Sequence, residues 1–333
     1  MKMPLHSVTY GWHGHALPLR GRGCAPAKAT ATQQRGRATL TQYMPLLMLL
    51  ACAVLVPATR AAAEETKVAE HVYKKTPQGE LKMFVHLPAD SKPADKRPAI
   101  VFFFGGGWAQ GTVEQFRTQA EYLAKRGMVA ARADYRVKSR HGTTPDKCVE
   151  DAKSAVRWLR QHAAELGIDT DRIVAAGGSA GGHIAACAGM TDTLDAKDED
   201  KAVSSRPNAM VLFNPVLDLT DLPLGVADVP DLAKSMSPIR YAAKNTPPMI
   251  LFYGTTDKFY AHGRAMLAKA KELAFRCELF AAEGMPHGFF NKAPWTEITL
   301  RQADAFLVSL GYLKGEPTVK APDGAKETLK REQ

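Results

Sequence analysis

The stretch RIVAAGGSAGGHIAAC, residues 172–187, changes character at its middle. Residues 172–177 form a short apolar run of the kind found in strands covered on both faces, and the run from His183 to Cys187 is helical in character. Between them stand Gly177, Gly178, Ser179, Ala180, Gly181 and Gly182. A serine flanked by small residues at a strand-to-helix turn sits in a sharp, strained backbone that exposes its hydroxyl. The string G-x-S-x-G is common by chance, and a glycine-rich turn capped by Ser179 is the alternative. Its strand–turn–helix setting makes it informative.

Further strands are expected at 67–73, 81–87, 99–104, 128–133, 208–213, 248–253 and 277–282. Pro77-Gln78-Gly79 reads as a hairpin turn between the first two, and helical periods separate the rest. The clearest helix covers 145–166, where Val149, Ala152, Val156, Leu159, Ala163 and Leu166 recur at spacings of three and four. Thr144 and Pro145 suit its start and Gly167 its stop. Alternating strands and helices predict an α/β domain over 64–314, with a mostly parallel central sheet of about eight strands and helices on both faces. Segment 219–245 makes a small cap insertion. The polar segment 315–333 is expected to be a mobile tail. Ligands of such sheets lie beyond the carboxyl ends of the strands.

The chain has 333 residues, 45% hydrophobic and 23% charged, which excludes a disordered, collagen-like or multi-span membrane protein. Its net charge of +10 invites a nucleic-acid partner. Residues 1–63, however, hold seven basic residues and no acidic one, so 37 basic residues face 34 acidic ones in the remainder. No nucleic-acid role is expected. That leader combines positive residues, the eleven-residue apolar run LLMLLACAVLV (46–56) and Ala61-Ala62-Ala63. It reads as an N-terminal extension with a signal peptide, and export to the periplasm or outside follows. The apolar run is shorter than the roughly 20 residues of a membrane span, so none is expected in the mature chain. Beyond the leader only Cys148, Cys187 and Cys277 remain, which is neither a disulfide framework nor a zinc pattern. They are expected to be small buried hydrophobes.

A serine needs a base to take its proton. His287, in GMPHGF (284–289), follows the last expected strand. His183 lies one helical turn after Ser179, where a supporting role is expected, and His262 falls in a helix, expected at the surface. The acid that orients the base is Asp257, ending GTTD (254–257), with Asp218 after the preceding strand as the fallback. Strand 99–104 runs into Gly105-Gly106-Gly107-Trp108, where unobstructed N–H groups, with that of Ala180, complete an oxyanion hole. A dinucleotide-binding loop would also place glycines here, but its third glycine is displaced and Ser179, Asp257 and His287 would have no task.

The motifs FGGGW (104–108), ADYR (133–136), GGSAGG (177–182), GTTD (254–257) and MPHGF (285–289) resemble those of α/β-hydrolase-fold esterases of the hormone-sensitive-lipase-like and acetyl (xylan) esterase group, over about residues 67–312. The resemblance implies a single α/β-hydrolase domain and a serine carboxylesterase without metal or organic cofactor. It carries the catalytic roles to Ser179, Asp257 and His287, and the oxyanion donors to Gly106, Gly107 and Ala180. In that family a His that helps brace the loop usually precedes the glycines; here Phe104 stands in its place. Amidases, formamidases and serine exopeptidases share the chemistry, and a non-catalytic member of the fold would normally have lost a triad residue. The expected substrate is a small-molecule or polysaccharide ester with a short, acetyl-type acyl group. Trp108 is expected to bind substrate, with Phe116 lining the same pocket, although aromatic residues there are as often core.

Overall fold

The computed structural model describes residues 66–220, 222 and 230–333, so the leader at 1–63 and part of the cap segment lie outside the described residues. Strands β1 (Lys67–Thr76) and β2 (Gly79–Leu87) form the antiparallel hairpin, turning at Pro77-Gln78. Gly79 closes the turn at φ +128°, a backbone suited to glycine, and Thr76 Oγ1 accepts from Gln78 N at 3.2 Å. Next come β3 (Arg97–Phe103), α1 (Arg117–Lys125), β4 (Val129–Ala133), α2 (Lys138–His141), α3 (Pro145–Gln161), α4 (Ala163–Leu166), β5 (Ile168–Gly178) and α5 (Ala180–Met190). The chain continues with β6 (Ala209–Phe213), α6 (Pro230–Ser235), β7 (Met249–Gly254), α7 (Tyr260–Leu273), β8 (Cys277–Ala282), α8 (Trp295–Ser309) and β9 (Leu329–Arg331).

These strands form one sheet in the order β1-β2-β4-β3-β5-β6-β7-β8-β9, and every neighbouring pair from β4 to β8 is parallel. Alternate residues of each inner strand enter different cores. In β3, Ala99, Val101 and Phe103 join the side covered by α3, α5 and α7, while Ile100 and Phe102 face α1 and α8. Burial on both faces explains the continuous apolar runs. From β3 the chain crosses first to β4 and then to β5 on the opposite flank, so a crevice opens beyond the carboxyl ends of β3 and β5. No helix among the described residues is long and apolar enough to cross a membrane.

Three expectations need correction. The tail expected to be mobile is tied to the sheet: Leu329–Arg331 pairs antiparallel with β8 and brings the sheet to nine strands among the described residues. The tail is also held upstream, where Tyr122 Oη accepts from the N–H groups of Thr318 and Val319 at 2.9 and 3.1 Å. The helix expected over 145–166 breaks at His162, whose ring stacks on Trp158 with centroids 4.0 Å apart. Finally, His262 is buried, accepting from Leu217 N at 3.2 Å. Its neighbour Gly263 lies so close to Tyr253 that a Cβ would sit 2.5 Å from the ring, and this tight approach of α7 to β7 encloses His262.

Candidate active site

Ser179 ends β5 and begins α5 with φ 52° and ψ −118°, a conformation that costs a non-glycine residue about 1–3 kcal/mol. Its N–H donates to Phe213 O at 2.8 Å, which ties the turn to the end of β6. The glycines around it allow this close packing. A Cβ on Gly181 would lie 2.1 Å from Phe103 O, and one on Gly178 would lie 2.4 Å from the Phe290 ring. Larger residues would push α5 off the sheet.

The loop after β8 brings His287 to the serine. His287 Nε2 lies 2.8 Å from Ser179 Oγ, and Nδ1 lies 2.8 Å from Asp257 Oδ2. With a carboxylate at Nδ1, that nitrogen carries the proton and donates, leaving Nε2 to accept from the serine hydroxyl. The Asp257 side chain is fully buried, whereas that of His287 is 34% exposed, so the base can be reached from solvent while its orienting acid cannot. Asp257 is further fixed by Asn214 Nδ2, which donates to Oδ2 at 2.6 Å, and by Phe259 N, which donates to Oδ1 at 2.9 Å. Phe259 also meets the His287 ring edge-on at 5.3 Å.

The fallback acid, Asp218, is engaged elsewhere. It accepts from Thr220 N at 3.0 Å, from Thr220 Oγ1 at 2.7 Å and from Ser237 Oγ at 3.0 Å, and so anchors the start of the cap segment.

Beyond β3, the glycine loop passes directly over the serine turn: a Cβ on Gly105 would lie 3.2 Å from Ser179 Cβ. Gly106 and Gly107 adopt φ +130° and +63°. The Gly106 carbonyl turns away to accept from Ala109 and Gln110 N–H groups, both at 3.1 Å. Phe104, in the place of a bracing His, is buried and stacks on Tyr135 with centroids 4.2 Å apart, and Tyr135 Oη donates to Phe104 O at 2.7 Å. On the other side of that peptide, Gly105 N donates to Gln115 Oε1 at 2.6 Å. The loop is therefore braced by a tyrosine and a glutamine.

Trp108, expected to bind substrate, is only 6% exposed. Its Nε1 donates to His183 Nδ1 at 3.1 Å, and His183 Nε2 faces Met236 O at 2.7 Å. This placement makes Trp108 a tie between the glycine loop and α5 instead of an open pocket wall. His183 thus has the supporting place expected of it, and burial lowers its pKa to about 4. Phe116 is core: it packs with Phe102, Phe213 and Phe290. Cys148 and Cys187 are buried and Cys277 partly so; all are free, and burial pushes their thiols up, Cys277 to about 12. No cluster of three or more metal-ligating side chains occurs among the described residues.

Sequence reasoning gave no role to Asn214, Tyr135 or Gln115. Two of them left a trace in the sequence: Tyr135 stands in the ADYR motif, and Asn214 ends an apolar run, where its φ of 47° is one that asparagine tolerates better than most residues.

Residues 83–224 match the BD-FAE family. Among solved structures, esterase 2 of Thermogutta terrifontis phosphoramylated by tabun is 48% identical, covering 77% of this chain and 98% of that one, with a TM-score of 0.72. A propionate-bound structure of the same thermophilic esterase is also 48% identical, covering 76% and 97%, with a TM-score of 0.71. Esterase LipQ of Mycobacterium tuberculosis is 29% identical over 249 residues, or 68% of this chain and 58% of LipQ. The chain spans about half the length of the curated relatives it matches.

Proposed function

The chain belongs to the α/β-hydrolase-fold esterases, and from that premise we propose that it hydrolyses carboxylic esters of short acyl groups through a serine-bound acyl-enzyme. The observation that carries this reading is His287 bridging Ser179 Oγ and Asp257 Oδ2, each at 2.8 Å. Ser179 Oγ attacks the ester carbonyl while His287 Nε2 takes its proton, and Asp257 steadies the imidazolium that results. The developing oxyanion is met by the N–H groups of Gly106, Gly107 and Ala180. Collapse of the tetrahedral intermediate breaks the bond to the alcohol, which leaves with the proton from His287. Water, deprotonated by His287, then attacks the acyl-enzyme, and its collapse returns Ser179 with a carboxylic acid as product.

Two features favour a short acyl chain. Leu219, Leu222, Met236 and Ile239 of the cap segment are buried in the core, not spread as an apolar lid. The Thermogutta esterase, 97% of which is covered by this chain, holds propionate. An alcohol of carbohydrate type is the accompanying proposal.

The test is hydrolysis of aryl esters from acetate to octanoate, beside Ser179→Ala. Acetate to butyrate should be cleaved fastest, and the variant should lose at least about 10⁴-fold in kcat while keeping its fold. Activity surviving in Ser179→Ala overturns the mechanism, and a preference for octanoate overturns the short-chain reading. Acetate release from acetylated xylan decides the carbohydrate alcohol; its absence removes that part.

A further inference from the structure

The glycine loop and the loop carrying His287 come from strands β3 and β8, far apart in the sheet, yet both must be placed to within a fraction of an ångström of Ser179. The structure connects them directly. Gln115 Oε1 accepts from Gly105 N at 2.6 Å, and Gln115 Nε2 donates to Asn291 Oδ1 at 2.9 Å. Asn291 Nδ2 donates in turn to Gly288 O at 3.0 Å, next to His287. Gly288 N donates to Asn214 Oδ1 at 3.3 Å, and Asn214 reaches Asp257 as described above. Every amide in the series donates in the same sense, from the glycine loop towards the carboxylate. The orientation of the Gln115 amide is settled by its partners, since a backbone N–H can be met only by Oε1.

A second observation supports the connection. Gln115 precedes Phe116 and Asn291 follows Phe290, and the two rings stack with centroids 5.9 Å apart and planes 14° apart. The stack fixes the two amides opposite each other. It also lies against Gly178, where a Cβ would meet Phe290 at 2.4 Å and Phe116 at 3.2 Å. The three loops that carry nucleophile, base and oxyanion donors therefore meet at one aromatic pair, and the amide link runs beside it.

We propose that Gln115 and Asn291 are positioning residues whose side-chain amides lock the oxyanion-donor loop to the His287 loop. This rests on the esterase reading above. Gln115 and Tyr135 clamp the two ends of the Phe104–Gly105 peptide, and the next N–H, that of Gly106, is a proposed donor. Loss of the clamp lets that peptide turn and swings the donor away from the oxyanion. Ground-state binding depends little on this donor, and the tetrahedral state depends on it strongly.

The experiment compares the full chain with Gln115→Met, Asn291→Leu, the double variant and Gln115→Glu, using an aryl acetate and an aryl trifluoromethyl ketone that forms a tetrahedral adduct. Gln115→Met should lower kcat by about 10- to 100-fold with KM nearly constant, and weaken the ketone by the same factor. Asn291→Leu should do so to a smaller extent. The double variant should lose less than the product of the single losses, because both act through one link. Gln115→Glu keeps the acceptor for Gly105 but cannot donate to Asn291, so it should match Asn291→Leu. The proposal is overturned if the single losses multiply, if ketone affinity stays at the wild-type value, or if Gln115→Glu is as impaired as Gln115→Met. Should Gln115→Met fail to fold, Asn291→Leu at an exposed side chain carries the same comparison of kcat with ketone affinity. An unmodified chain without esterase activity removes the underlying reading instead.

Discussion

At the carboxyl ends of β3, β5 and β6, Trp108, Ser179 and Asn214 all hold positive φ, at 59°, 52° and 47°. Apart from the bond of Asn214 to the Asp257 carboxylate, these turns are held by neutral groups: a tyrosine hydroxyl, side-chain amides, backbone N–H groups and an indole. The seam between the β1–β2 hairpin and α3 is built differently. There Asp151, fully buried, accepts from Arg136 Nε at 2.8 Å, from its terminal nitrogen at 2.7 Å and from Arg136 N at 3.0 Å, and Lys74 Nζ lies 2.8 Å away. Neutral hydrogen bonds are short-ranged and directional, so they locate single atoms against backbone strain. Buried ion pairs hold whole elements together, and removing one partner leaves the other uncompensated. Substitutions at the first region should therefore strike rate, and those at the second stability.

The largest expected effect tests the first half of that contrast. Asp257→Asn keeps the shape of the side chain but offers an amide to His287 Nδ1, which favours the wrong tautomer. It should lower kcat by about 10⁴-fold, or about 5.5 kcal/mol in the barrier, with little change in urea midpoint. Equal losses of rate and stability would show that the two regions are not held by separate means.

Next in size is the seam. Asp151→Ala leaves Arg136 and Lys74 facing each other in a buried space, with Glu150 as the remaining acid. Unfolding in urea should show a loss of about 3–5 kcal/mol, while kcat of the folded enzyme stays at the wild-type value. A fall in kcat without a change in stability would break the comparison from the other side.

The sheet was legible because its inner strands are buried on both faces, so runs such as Ala209–Phe213 and Met249–Gly254 carry their own signature. Serine, acid and base each follow such a strand, which is why they could be placed in order before any distance was known. β9 was not legible: three residues, Leu329, Lys330 and Arg331, have no apolar pattern, and only the open edge of β8 makes them a strand. Trp108 and His262 were misplaced for a related reason. An aromatic ring beside a site reads the same whether it faces the pocket or, as here, turns inward onto His183. Enclosure of His262 depends on a glycine contact between α7 and β7 that no spacing reveals. The Gln115–Asn291 link joins residues 176 apart through neutral amides, which leave no periodicity and no charge pattern.

His183 lies in the first region and is held neutral there, yet it is a titratable group, so it sharpens the boundary between the two regions. It is completely buried, Nδ1 accepts from Trp108 and Nε2 faces the Met236 carbonyl, so it is held neutral with a proton on Nε2. Burial lowers its pKa to about 4, with the Met236 carbonyl acting in the opposite sense. In the unfolded chain the ring titrates near the ordinary value of about 6.5. Above that pH neither state binds the proton and stability is independent of it. As the pH falls from about 6.5 to about 4, only the unfolded chain becomes protonated, so stability is lost progressively, by up to roughly 3 kcal/mol. Below that window the folded ring is protonated too and can no longer accept from Trp108, which frees the tie on the glycine loop. His86, also lowered to about 4 by burial and the nearby Arg132, adds a slope of the same sign. Urea midpoints between pH 7 and 4 should therefore fall in the unmodified chain and fall less steeply in His183→Gln, with the difference between the two curves confined to that window. Parallel curves would assign the acid sensitivity to His86 and leave His183 as a hydrogen-bonding strut alone.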